Sequence, residues 1–593
     1  MAGRPCGMEH MHIIRFLGKR EYGLGATALA FIVLQVYLDL KLPDYMQTIT
    51  TLIVTPGTAM GRVLGEGALM LGCALGSMLA TVVTGYCMAV IGTSMAQRMR
   101  AGVFDATLDF SMAEIGEFST PSLITRSTND VTQIQMFVVM AVQLLVRSPI
   151  VAVWAILKIS DANMTWTLAT GAAVAVLLTV LGVIAVLVTP RMMRMQRITD
   201  DLNRVTREHL SGLRVIRAYN SQGFHGRRFE AANAELTGAN TFVNNAFAFL
   251  MPSLTAIMSG LSLAIYVLGA VMIDAATGAE RLTLFSQMIV FSAYALQIVG
   301  AFMMLAFVFI FMPRASVAWR RIREVLSTEP GIADGAARVG RSRASGEVEF
   351  RNVSFRYPDA EDDALKDVSF TARPGQTVAI IGSTGSGKSS IVNLVPRFYD
   401  VREGQVLVDG RDVREWEQKA LRDRISFVPQ RATLFSGTIA SNIDFGRGAR
   451  EVTPRDVVEA AEAASAVEFI AAREGRYASA VAQGGSNFSG GQKQRLAIAR
   501  AVVRGGGVMI FDDSFSALDY KTDRDVRAAL RRTAADATVI IVAQRIGTVR
   551  GADRILVVDR GRIVGAGTHS ELLETCSVYR EIALSQLSEE ELA

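Results

Sequence analysis

In the first half of the chain, apolar residues form long unbroken runs instead of recurring at helical or alternating intervals. Crossing a bilayer takes about 20 apolar helical residues. Six runs reach that length, at 22–40, 68–91, 134–157, 165–189, 242–273 and 282–312, and each is predicted to be a membrane-spanning helix. Polar, helix-compatible segments of several turns separate the second run from the third and the fourth from the fifth, whereas the other loops are mostly shorter. The helices are therefore expected to extend well beyond the bilayer on one side. Residues 191–228 carry nine Arg and no Lys, while "KISDANM" and "DAATGAE" at the opposite ends are nearly charge-balanced. An excess of positive charge marks the cytoplasmic face, which places the extended side and both termini there.

Beyond residue 312 the pattern changes. "STEPGIADGAARVGRSRASG" (327–346) has the Gly, Ala, Ser and Pro content of a linker. From 347 onward, short β-branched runs such as "TVAIIG", "GQVLVDG", "ISFVPQ", "VMIFDD" and "TVIIVAQ" alternate with helical patterns, as in an α/β domain with a largely parallel sheet. The predicted organisation is a six-helix transmembrane domain over 1–326, a linker over 327–346, an α/β domain over 347–587 and a short tail over 588–593.

Composition narrows the class. In 593 residues, a hydrophobic content of 50% and a mean hydropathy of +0.30 are high for a wholly soluble protein. The formal charge is only +5, from Arg scattered along the chain and not interleaved with aromatics, which argues against nucleic-acid binding. Cys6, Cys73, Cys87 and Cys576 lack metal-ligand spacing, and Cys73 and Cys87 lie too far apart along one apolar helix to bridge. Reduced structural thiols are expected. The opening "MAGRPCGMEHMHIIRFLGKR" is polar and basic and leads directly into the first apolar run, so no cleavable signal is expected.

Candidate chemistry begins at "GSTGSGKSS" (382–390), which follows the run "TVAII" and opens the helical pattern "SIVNLV". In this context Gly382, Ser383, Thr384, Gly385, Ser386, Gly387, Lys388, Ser389 and Ser390 form a phosphate-binding loop. Its glycines let backbone N–H groups turn onto phosphate oxygens, Lys388 meets the β and γ phosphates, and Ser389 reaches Mg²⁺. About a hundred residues later, "NFSGGQKQRLAIARAVV" places Ser489 as an N-cap before Gly490, Gly491 and Gln492, giving a second anion-binding helix terminus.

With two phosphate-reading surfaces in one chain, the α/β domain resembles an ABC transporter nucleotide-binding domain, whose signature is matched by "FSGGQ". Tyr357 of "FRYP", Gln430 of "VPQ", Asp512 of "IFDD" and Asp519 of "SALD" stand at the other family landmarks in order. The first half likewise resembles the family's six-helix exporter-type membrane domain, with 119–135 and 208–229 matching its two intracellular regions. The resemblance implies that Tyr357 stacks on adenine, and that Ser389, Gln430 and Asp512 hold Mg²⁺. It also implies that two such domains pair head to tail, so that Ser489, Gly490, Gly491 and Gln492 face the partner's ATP.

Departures from the family pattern carry information of their own. Asp513 stands where the resemblance expects the Glu that activates water, Gln544 where it expects a switch His, and Gln483 where related exporters often have Glu. Asp is one methylene shorter than Glu, and an amide cannot carry the titratable charge of an imidazole. The chain thus resembles the degenerate-site subunit of a heterodimeric bacterial multidrug exporter. The implied partner is a second half-transporter with intact Glu and His, and the implied cargo is a small amphipathic or drug-like molecule. An importer of a metal chelate on the same fold, and an ATP-binding regulatory subunit that transports nothing, are the alternative readings. Within the spans, Arg147 is a substrate contact, half of a structural ion pair or a residue placed at the membrane interface. Met258, Met288, Met303 and Met304 either line an adaptable drug pocket or are ordinary lipid-facing filler.

Overall fold

The computed structural model describes residues 13–587 apart from 56, 161–163, 278, 341–345 and 446–450, so the tail at 588–593 and part of the linker lie outside the described residues. The chain divides into two compact units: Met1–Thr107 with Pro121–Thr328, and Leu108–Thr120 with Glu329–Ala593.

Among the described residues, the first unit has six helices long and apolar enough to cross a membrane. The helices that carry them are Lys19–Val54, Met60–Asp109, Val131–Ser160, Met164–Ser211, Gln222–Ala275 and Ala279–Ser327. Each outruns its apolar stretch; the first continues to Val54, past the expected end at 40. Hydropathy stops where lipid stops, whereas the backbone hydrogen-bond ladder continues wherever propensity allows. Pro43, Pro149, Pro190 and Pro252 all lie inside these helices, as neighbouring helices in a bundle permit.

The third span packs along the sixth and the fourth along the fifth, with the first set against the third and sixth. Their shared core holds Trp166 against Phe291, ring centroids 5.4 Å apart. Met288 belongs to this core: a Cβ added to Gly269 would lie 2.4 Å from its sulfur. Met258 and Met303 pack on the same cluster, whereas Met304 is exposed.

In the second unit a six-stranded sheet runs in the order Arg562–Gly567, Arg554–Asp559, Thr377–Gly382, Thr538–Val542, Val508–Asp512 and Ile425–Val428. It is parallel except for the first hairpin. The central strands are fully buried apolar runs, the pattern of a sheet covered on both faces. A separate four-stranded antiparallel sheet holds Val348–Phe355, Leu365–Ala372, Glu403–Val408 and Arg411–Asp412.

The segment expected as a linker makes backbone hydrogen bonds to the second unit's own loops where it is described. Gly335 N donates to Trp416 O at 3.0 Å, Ala337 N to Glu415 O at 2.9 Å, and Glu417 N to Ala337 O at 2.8 Å. Asp334 adds a bond from Gln418 N at 2.6 Å. A connecting segment satisfies its backbone polar groups wherever it lies against the domain, as this stretch does. Upstream, Gly331 N donates to Glu114 at 3.2 Å. Glu114 sits on the short helix Met112–Phe118, whose N-cap Ser111 it also holds.

Candidate functional site

Three adjacent parallel strands, Thr377–Gly382, Thr538–Val542 and Val508–Asp512, release their carboxyl ends side by side. Ligands of open α/β sheets bind just outside such ends. The loops that leave them carry Gly382 to Ser390, Gln544, and Asp512 with Asp513, so residues far apart in sequence converge at one edge.

The phosphate loop is shaped by close backbone approach. Gly387 has φ +102°, and a Cβ there would meet Ala364 O at 2.7 Å, while one on Gly382 would meet Val558 O at 2.0 Å. A side chain fits at neither position. Lys388 is buried, its Nζ donating to Gly382 O at 3.0 Å and Ser383 O at 2.6 Å. Burial lowers its pKa, opposed by the charges of Asp513 and Asp512. The ammonium is therefore folded back onto the loop's own carbonyls. Tyr357 lies at the loop's flank, its hydroxyl 3.0 Å from Ser390 Oγ and its ring edge-on to Tyr399 at 5.2 Å.

Ser389 Oγ donates to Asp512 Oδ1 at 2.9 Å. Burial raises the pKa of Asp512, with the Ser389 bond opposing and the neighbouring Asp513 adding to the rise. A hydroxyl and a carboxylate held together in a buried pocket are hard oxygen donors that suit Mg²⁺. Ser389 and Asp512 would hold the ion, which when bound neutralises phosphate charge.

Asp513 adopts φ +45°, a left-handed conformation a non-glycine residue rarely takes outside constrained sites. Its backbone N–H donates to Val542 O at 3.0 Å. Its Oδ2 accepts from Gln544 Nε2 at 3.1 Å and from Gln430 Nε2 at 3.3 Å. Gln430 is therefore held on Asp513, and no bond from it to Ser389 or Asp512 occurs among the described residues.

The "FSGGQ" segment stands apart from this edge. Ser489 caps the helix Gly490–Arg504: Gln492 N donates to its Oγ at 3.3 Å, and its own N–H donates to Gln492 Oε1 at 3.1 Å. A Cβ on Gly490 would meet nothing within 4 Å, whereas one on Gly491 would lie 3.0 Å from Ala517 O. The helix terminus is thus open on the Gly490 side and closed on the other. No hydrogen bond joins Ser489, Gly490, Gly491 or Gln492 to the phosphate loop among the described residues.

In the first unit, Arg147 Nη2 lies 3.0 Å from Asp39 Oδ2, and Ser77 Oγ donates to the other Asp39 oxygen. Nearby, Lys158 pairs with Asp44 at 2.9 Å, and the Tyr294 hydroxyl lies 2.6 Å from Asp44 Oδ1 and 2.8 Å from Leu40 O, both acceptors for its single proton. The ion-pair reading of Arg147 has its partner. Asp39 was legible as an acid inside an apolar run, but sequence alone offered nothing that linked it to Arg147.

A family model described as "ABC transporter" matches residues 365–516, and one described as "ABC transporter transmembrane region" matches 29–302. An uncharacterized ABC transporter ATP-binding protein of Mycobacterium tuberculosis is 41% identical over 549 residues, 91% of this chain and 93% of the relative. The chain belongs to the ABC transporter family. Another uncharacterized ABC transporter ATP-binding protein, from Bacillus subtilis, is 33% identical, with 88% of this chain and 90% of that one covered. An ATP-dependent lipid A-core flippase of Aromatoleum aromaticum is 32% identical, with coverages of 85% and 82%. In fold, this ABC transporter is similar to a bacterial Atm1-family ABC exporter solved with ATP bound. The TM-score is 0.80 at 24% identity, covering 96% of this chain and all of that one. It is a multi-pass, exporter-type half-transporter whose ATPase domain couples ATP hydrolysis to transport.

Proposed function

We propose that this chain is the degenerate-site half of a heterodimeric exporter in a bacterial cytoplasmic membrane, with both termini cytoplasmic. Its own phosphate loop retains Mg²⁺ and ATP. Ser489, Gly490, Gly491 and Gln492 complete the faster site of a different half-transporter that supplies Glu and His. The cargo is a small amphipathic or drug-like molecule.

The observation that carries this reading is the single hydrogen bond between the two departures, Gln544 and Asp513. A water-activating base must present a free lone pair within about 2.6–3.2 Å of the water. The shorter side chain of Asp513 is drawn back by about 1.5 Å relative to Glu, and the group that meets it is an amide, which cannot carry the titratable charge of an imidazole. An intact phosphate loop beside a short carboxylate favours binding over turnover.

ATPase activity of the chain purified alone, compared with the chain coexpressed with a neighbouring half-transporter gene, tests the proposal. The expected result is slow turnover alone and a stable complex of one copy each with restored turnover. Brisk turnover by a complex of identical chains would refute it.

A further inference from the structure

The loop that carries Gln544 is held from an unexpected direction. The helix Ile546–Val549 begins at Arg545, which offers no side-chain cap, so its first N–H groups need partners from elsewhere. Gln586 supplies one: Ile546 N donates to Gln586 Oε1 at 2.9 Å, while Gln586 Nε2 donates to Gln544 O at 2.8 Å. One planar carboxamide thus makes two complementary bonds to the backbone on either side of Arg545, which fixes both the position and the orientation of the loop.

Gln586 is itself anchored. It follows the helix Ser577–Leu584, whose Tyr579 and Ala583 are fully buried. The Tyr579 hydroxyl lies 2.7 Å from His569 Nδ1. The backbone N–H groups of Gln586 and Leu587 both reach Ala583 O at 3.0 Å, and Leu587 packs on the domain core. At its far end the clamped loop meets the nucleotide edge twice, through Gln544 on Asp513 at 3.1 Å and through Arg545 Nη2 on Ser516 O at 3.1 Å.

We propose that Gln586 is a positioning residue for ATP turnover: a remote cap that holds Gln544 against Asp513 at the site of γ-phosphate cleavage. The inference rests on the reading of Gln544 as the switch-position residue given above. It adds a C-terminal element to the machinery, one that touches neither nucleotide nor metal.

The test measures steady-state ATP hydrolysis by the full-length chain in lipid nanodiscs for Gln586→Ala, Gln586→Glu, Gln544→Ala and the Gln544→Ala/Gln586→Ala pair. Gln586→Glu is isosteric and keeps the acceptor for Ile546 N but loses the donor to Gln544 O, so it reports on positioning even if the alanine variant folds poorly. Both Gln586 variants are expected to lower kcat by about 3- to 10-fold, the worth of one or two partly exposed hydrogen bonds. KM for ATP should stay within about twofold, because the phosphate loop is untouched. With Gln544 already removed, loss of Gln586 should cost less than about 1.5-fold, since residues acting through one another are not additive.

A Gln586 effect that persists undiminished in the Gln544→Ala background overturns the proposal. So does an unchanged kcat, or a rise in KM equal to the fall in kcat. Brisk turnover by the lone chain would instead count against the degenerate-site reading, and a silent Gln544→Ala against the reading of Gln544 as the switch-position residue. The cycle compares ratios and so separates the two failures.

Discussion

Asp39 of the first span and Arg147 of the third face each other at 3.0 Å, so two charges that lipid would penalise singly are presented as one pair. Removing either partner strands the other. Arg147→Leu is expected to lower the stability of the membrane unit by about 1–3 kcal/mol, and Asp39→Asn/Arg147→Leu to recover at least half of that. Thermal unfolding in detergent, followed by size-exclusion fluorescence, measures both. If the double variant is no better than the single, the pair is not what stabilises these helices.

At the nucleotide edge, Asp513→Glu with Gln544→His should speed cleavage at this chain's own loop by about tenfold, because water regains a base within reach and phosphate regains an imidazole. The single changes should each do less. Single-turnover loss of radiolabelled ATP, with the partner's Glu inactivated, isolates this site. An unchanged rate in the double variant would place the defect in the opposing signature.

The two phosphate-reading surfaces should separate under mutation. Lys388→Ala removes a charge-assisted contact and should weaken ATP retention at its own loop by about 10- to 100-fold. Ser489→Ala, which removes the cap of the helix Gly490–Arg504, and Gly490→Asp, which fills open space with a like charge, should instead slow hydrolysis of the partner's ATP. Nucleotide trapping with site-specific crosslinks distinguishes the sites. Both sets of changes acting on one site would refute the head-to-tail arrangement.

A fourth expectation concerns the docked strap. A Cβ on Gly335 would lie 2.3 Å from Glu415 O, so Gly335→Ala must push the strap off its track at a local cost of about 1–3 kcal/mol. Limited proteolysis should then cut near residue 335 several times faster, with ATP affinity unchanged within about twofold. Equal cleavage rates would mean that the backbone bonds there contribute little.

Much of this architecture was written plainly in the chain. Six apolar runs become six helices because lipid leaves the backbone no other way to satisfy its polar groups, and "GSTGSGKSS" declares its loop because glycine is needed where Gly387 and Gly382 are crowded. What stayed hidden depends on meetings between distant residues. Neither Arg147 nor Asp39 names the other, and the bond from Gln586 to the Gln544 loop spans 42 positions through an ordinary, exposed-looking glutamine. The linker composition was silent for a different reason: small residues suit a connector and also allow the close approach of Gly335 to Glu415 and Trp416, which composition alone does not reveal.

That close-lying strap has a practical side. Of the four tryptophans, at 154, 166, 319 and 416, only Trp416 falls within 329–593, and it is fully buried, with its carbonyl accepting a hydrogen bond from Gly335 of the strap. The isolated second unit thus carries a single built-in fluorophore at the point where its leading segment is fastened. Lifting that segment would free the Trp416 carbonyl and alter the local surroundings that set the emission of its indole. A truncation beginning at 347 would lose the signal's cause along with the strap, whereas one beginning at 329 would keep an optical gauge of whether the fastening is made.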